Sequence, residues 1–298
     1  MVSPSAASEV AAPTLARPRR RGSAFLRAMR RNPLGVAGLA IIVLVALVAL
    51  AAPLISPFGP TDQVARRLEA PSPPYLLGTD EFGRDILSRV IYGSRISLYV
   101  GLVSVSLALA AGGAVGMVAG YFGGRTDNLL MRLVDILFAI PSLVLAIVIA
   151  GLLGPSLTNA MIAIGIVYAP IYARLVRGEV LAVRNHLYIE SARATGVGDL
   201  GLIARHILPN ITAPLIVQTT LLLSTAILAE AALSFLGLGT QPPEPSWGTM
   251  LGSGRRYMEL TPWVAIAPGI AIVITVLGFN LLGDGLRDAL DPRLRGSE

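Results

Sequence analysis

The sequence predicts an all-α integral membrane protein built as a bundle of six transmembrane helices. Three observations carry this expectation. Mean hydropathy is +0.69, with 54% hydrophobic and only 14% charged residues, too apolar for an ordinary soluble domain. Apolar runs recur at the length that crosses a bilayer, roughly 20 residues for about 30 Å of hydrocarbon. The arginines stand at the ends of those runs instead of in one stripe. The net charge of +6 therefore marks membrane flanks and not a nucleic-acid surface.

Taken in chain order, residues 1–33 are rich in Ser, Ala, Pro and Arg and read as a disordered basic tail along an anionic inner surface. The first run, 34–55, is followed by an outer segment that completes a unit over 34–95. Ala49-Leu50-Ala51 has the small residues of a signal-cleavage site. The run is longer than a signal core of about 7–15 residues, so it reads as a retained anchor. Within 78–95, Phe82, Ile86, Leu87, Val90 and Ile91 recur at helical spacing with Arg84 and Arg89 opposite, which predicts an amphipathic helix at the outer interface. A core over 96–286 then holds five further runs, at 96–120, 133–153, 157–176, 213–236 and 263–282, with Gly112, Gly113 and Gly116 allowing close helix contact. Residues 287–298 form a second tail.

Orientation follows from arginine asymmetry. With the N-terminus inside, the inner segments carry 17 Arg and the outer ones seven, which places both termini in the cytoplasm. The outer arginines Arg255 and Arg256, near Trp247 and Tyr257, are either contacts for an extracytoplasmic protein or loop charges beside an aromatic belt.

The composition also excludes chemistry. All 24 basic residues are Arg, and there is no Cys. No Walker lysine, Schiff base, disulfide or thiol nucleophile can form. His186 and His206 stand twenty residues apart and make no metal-ligand motif. No clustered acids or nucleophile–base pair point to catalysis.

The most informative stretch is a polar, arginine-bearing island inside 179–212, between the fourth and fifth runs. It cannot lie in hydrocarbon. Residues 190–195 are helix-forming, Gly196-Val197-Gly198 breaks the helix, Asp199 opens a second one through His206, and Pro209 turns the chain back to the membrane. A helix-bend-helix of this kind suits a groove on a partner, although an amphipathic helix on the lipid surface would share its polarity.

The island closely matches the signature loop of ABC importer permeases: EAA, three residues, Gly, nine residues, then I-x-L-P. Glu190, Ala192, Gly196, Leu208 and Pro209 fall in register, with Ser191 in place of an Ala and His206 in place of an Ile. The stretch from Gly78 to Asp85, the stretch from Ala232 to Gly239, and the following Gln241-Pro242-Pro243 and Ser246-Trp247-Gly248 resemble the "C" permeases of peptide and nickel importers. The resemblance implies a type I importer permease fold in a bacterial plasma membrane. It also implies that Glu190, Ser191, Ala192, Gly196, His206, Leu208 and Pro209 form a loop docking on a cytoplasmic ATPase. The implied partners are a homologous permease, two ATPase subunits that bind ATP and Mg, and an extracytoplasmic substrate-binding protein. The cargo would be a dipeptide or oligopeptide, with nickel chelates and glutathione as alternatives within the family.

Glu230, inside the fifth run, is an intramembrane acid, and such a charge costs at least about 2.5 kcal/mol unpaired. It either lines the translocation path or hydrogen-bonds to a neighbouring helix. A secondary transporter would show several midplane charges or inverted halves with broken helices, and the sequence displays neither.

Overall fold

A computed structural model of the chain describes residues 32–290; most of the predicted tails, 1–33 and 287–298, lies outside the described residues, while Pro33 and residues 287–290 belong to the first and last helices. The first crossing is α1 (Pro33–Ile55), opened by Asn32, whose side-chain oxygen accepts from the Gly35 N–H at 3.0 Å, with Pro33 in the first turn. Proline is at home there because that N–H has no intrahelical partner. α1 packs on the last helix, α10 (Trp263–Leu290), through facing glycines: a Cβ on Gly38 would collide with the Leu282 backbone, and one on Gly285 would collide with Gly35.

The second crossing is α2 (Ile86–Phe122), one unbroken helix of 37 residues. The separate interfacial helix expected over 78–95 does not form, and the expected boundary at 95/96 falls inside α2. Gly78 and Gly83 sit at φ +77° and +80°, in the left-handed region that interrupts a helix. Isolated bridges Gln63–Arg84 and Thr79–Asp85 close the segment on itself. Asp85 then caps α2, its Oδ2 accepting from the Ser88 N–H at 2.7 Å. Ile86, Leu87, Val90 and Ile91 do show helical spacing, but as the opening turns of the crossing. Arg84 and Arg89, expected on a polar outer face, are buried at 9% and 5% exposure. Arg84 Nε lies 2.6 Å from Asp80 Oδ2, and Arg89 donates to the Pro60 carbonyl at 2.7 Å.

The third crossing departs most from expectation. The run at 133–153 is not one helix: α3 (Gly124–Phe138) and α4 (Ser142–Leu153) meet at 89°. Pro141 has no N–H to continue the ladder and disfavours helical backbone at Ile140 before it. Among the described residues five helical stretches are long and apolar enough to cross a membrane, and counting the bent pair as one span gives six.

The fourth crossing, α5 (Leu157–Val183), packs tightly along α2. A Cβ at Gly112, Gly116 or Gly120 would run into Ala169, Ala173 or Val180 of α5, so glycines four apart on α2 let the two backbones approach. The main apolar core lies where α2, α4, α5 and the fifth crossing meet, around Val105, Ile164, Tyr172 and Ala226. Beyond α5 come α6 (Leu187–Ala194), the short α7 (Asp199–Leu202) and a π-helical turn, Ile203–Ile207. The turn feeds directly into α8 (Leu208–Phe235). Pro209 occupies the first turn of α8 and does not break the chain's helical course, because early helical positions tolerate proline. Finally α9 (Trp247–Gly254), capped by Ser246, packs against α8 and α10 and sends Trp247 Nε1 to the Val90 carbonyl at 2.9 Å.

Candidate functional site

Two ends of the bundle are distinguishable by their contacts. At one end the segment before α2 meets the segment after α8: Arg89 donates to both Pro60 and Pro243 carbonyls, and Thr261 to that of Leu68. At the other end the polar island folds against the close of α2 and α5. The predicted bend is present, with Gly196 at φ +86° between α6 and α7. A side chain there would meet no neighbour, so the glycine serves the backbone conformation alone.

The island is held from behind by a buried apolar cluster of Val176, Val180, Ile189, Leu202, Ile207 and Ile211, with Tyr121 among them. Burial of this kind contributes roughly 1.5–3 kcal/mol for each large side chain. Polar bonds fix its register. The Tyr121 hydroxyl donates to Asp199 Oδ1 at 2.6 Å and accepts from Arg193 Nη2 at 3.4 Å. Arg184 donates to the Gly120 carbonyl at 2.7 Å and the Tyr121 carbonyl at 3.3 Å. Arg177 makes a two-pronged pair with Asp127 of α3 at 2.5 and 2.7 Å, the geometry that suits guanidinium and carboxylate best.

The front of the island is bare in this chain. Leu187 is 80% and Leu200 83% exposed, and His186 stacks on the half-exposed Tyr188 at 5.7 Å. Glu190 is exposed, and among the described residues its carboxylate has no hydrogen bond or ion pair. The six other motif residues fall on the same hairpin. Ser191 bonds back to the Leu187 carbonyl at 2.9 Å, Ala192 packs on the apolar cluster, and Gly196 makes the bend. The His206 carbonyl accepts from Asn210, and Leu208 and Pro209 open α8 on the exposed side. Tyr121, Arg184 and Asp199 did not stand out in the sequence as its supports. Tyr121 lies 78 positions from Asp199, and only the fold brings them together.

Glu230 is not part of this hairpin. It has no exposed surface, and it accepts from Ser234 at 2.7 Å and from Ser97 of α2 at 3.4 Å. Of its two expected roles, the bond from Ser97 supplies the interhelical one. Among the described residues no group of three or more His, Asp or Glu side chains could hold a metal ion. Nor does the hairpin gather a nucleophile with a base.

The chain is thus an apolar, multi-crossing bundle with a polar hairpin built into one end. Comparison with known proteins gives the class directly. Residues 112–296 match the family described as binding-protein-dependent transport system inner membrane component, and residues 22–74 match the N-terminal TM domain of oligopeptide transport permease C. The chain is 48% identical over 269 residues to the dipeptide transport system permease protein DppC of Alkalihalophilus pseudofirmus, covering 90% of this chain and 88% of that one. It is 48% identical to the di/tripeptide transport system permease protein DppC of Pseudomonas aeruginosa over 92% of both chains. It is also 44% identical to the glutathione transport system permease protein GsiD of Pectobacterium atrosepticum over 90% of both. Among solved structures, the MetNI methionine ABC transporter in an inward-facing conformation superposes with TM-score 0.57 at 20% identity, covering 69% of this chain and 98% of that chain. The fold is thus that of an ABC importer permease.

The chain belongs to the family of binding-protein-dependent transport system inner membrane components. It is a multi-pass membrane permease subunit of the ABC importer class, not an enzyme, and its family works with an ATPase and a substrate-binding protein.

Proposed function

We propose that this chain is one of two permease subunits of an importer that moves short peptides, paired with a homologous permease, two cytoplasmic ATPase subunits and an extracytoplasmic binding protein. The observation that carries the reading is the two-faced hairpin: fixed behind by Tyr121, Arg184 and the apolar cluster, and open in front at Leu187, Glu190 and Leu200. A helix pair with an unfilled apolar front and a free carboxylate fits a groove on the ATPase. Because the π turn joins it to α8 without a break, movement of the hairpin is delivered to the fifth crossing as a rigid lever. ATP binding on the partners would then shift the bundle between states open to either side.

Arginine asymmetry supports a cytoplasmic position for the hairpin and both termini. The dipeptide and di/tripeptide relatives support a peptide as cargo. The glutathione relative keeps that tripeptide as a second reading, which differs only in the ligand handed over by the binding protein.

The test is uptake by the reconstituted complex in proteoliposomes. Glu190→Ala and Gly196→Trp should leave the permease inserted at normal abundance yet lower ATP-driven dipeptide uptake at least several-fold. Normal uptake by both variants would remove the docking role.

A further inference from the structure

The broken third crossing places three non-helical residues, 139–141, between two short helices, with the Ala139 N–H and the Pro141 carbonyl still hydrogen-bonded within the chain. α4 has 12 residues and reaches about 18 Å at 1.5 Å per residue, well short of about 30 Å of hydrocarbon. Its start at Ser142 therefore falls within the membrane, and any tilt of α4 sets it deeper. Every residue from Phe138 to Val144 is exposed on the surface of the chain, the non-helical 139–141 included. Irregular backbone at that depth does not face lipid; it is covered by protein or lines a water-filled cavity.

Side chains around the break favour water. Below it, Arg174 Nη2 of α5 lies 2.7 Å from Asp135 Oδ1 of α3, and the two side chains remain 50% and 60% exposed. The Arg174 guanidinium also sits 3.9 Å over the Phe138 ring. Charges turned toward hydrocarbon are costly, at least about 2.5 kcal/mol for a single one at the bilayer centre, and sealing the pair under a dry protein surface would strip the hydration its free lone pairs and N–H groups need. Beside the break a cavity of about 200 Å³ opens between α4, α5 and α8; its lining is mainly apolar, and the Tyr168 and Thr225 hydroxyls there already donate to backbone carbonyls, so the case for water rests on the break and the ion pair.

We infer that residues 139–142 and the Asp135–Arg174 pair line the aqueous solute path of the assembled importer, and that the pair meets the charged ends of a zwitterionic short peptide in transit. Asp135 would receive the ammonium end and Arg174 the carboxylate end. The peptide half of this inference rests on the function proposed above. The aqueous half rests on the break and the pair alone.

Because the chain contains no Cys, a single introduced thiol reports its own surroundings. In the assembled complex, Ser142→Cys should react with a charged, membrane-impermeant methanethiosulfonate reagent at least tenfold faster than Leu44→Cys or Leu50→Cys. Those positions are 62% and 78% exposed on the apolar surface of α1, and the readout is the mass of this chain. Ser142→Cys as unreactive as the α1 variants would overturn the aqueous lining. For the pair, Asp135→Asn should raise KM for dipeptide uptake about tenfold, more than it lowers kcat, with Asp135→Glu restoring it. An unchanged KM in both Asp135→Asn and Arg174→Gln would overturn the charge role. Loss of ATP-driven uptake in the unsubstituted complex would instead strike the proposed function and leave the thiol reactivity readable.

Discussion

At the scale of the residue, the tie between hairpin and bundle is concentrated in Tyr121. Its hydroxyl joins both Asp199 and Arg193 of the hairpin to the end of α2. A hydrogen bond to a charged group contributes about 1.5–3 kcal/mol. Tyr121→Phe keeps the ring in the apolar cluster and removes that bond alone. The expected outcome is a permease of normal abundance whose peptide uptake per ATP hydrolysed falls about threefold or more, measured as the ratio of the two rates in proteoliposomes. Glu190 lies on the opposite, exposed side of the hairpin. Its motif position was legible from spacing, whereas Tyr121 carried no sequence signal, because a tyrosine at the end of an apolar run is also what an interfacial belt would display. The buried Arg84 and Arg89 show the same limit. As a pattern they were the polar face of an amphipathic helix. In the fold they are paired with Asp80 and backbone carbonyls beneath the outer segment.

At the scale of the element, the bundle depends on how closely α2 and α5 approach. Gly112 sits against the Ala169 carbonyl with no room for a side chain. Lacking a hydrophobic drive between helices in lipid, such contacts rest on packing, and overpacking one costs about 1–3 kcal/mol. Gly112→Val should therefore lower the unfolding temperature of the detergent-purified complex and its yield in the membrane. The control Gly151→Val, where a Cβ would meet nothing within 4 Å, should leave both near the parent. The sequence placed all six apolar runs, since length and hydropathy suffice for that. It did not reveal that the third bends by 89° while the second runs on for 37 residues. Pro141 was visible, but a proline within an apolar run is equally compatible with a straight helix whose neighbours satisfy the freed groups, as Pro170 and Pro268 are.

At the scale of the whole molecule, the outer segments and the hairpin occupy opposite ends of one bundle. Leu200→Cys and Phe82→Cys, at residues 83% and 47% exposed, should react with an impermeant thiol reagent from opposite sides of the membrane, Leu200→Cys only from the ATPase side. Labelling of both from one side would break the topology. By itself the sequence determined the class of protein, its apolar runs and the place and register of the hairpin. Those follow from local quantities: run length, arginine bias and the spacing of Glu190, Gly196 and Pro209. Only the tertiary structure decided that Tyr121 clasps Asp199, that Glu230 is sealed between α2 and α8, and that Asp135 meets Arg174 beside a broken crossing. The physical reason is that each of these pairs joins residues far apart in the chain, and the helix packing that brings them together leaves no periodic trace along it.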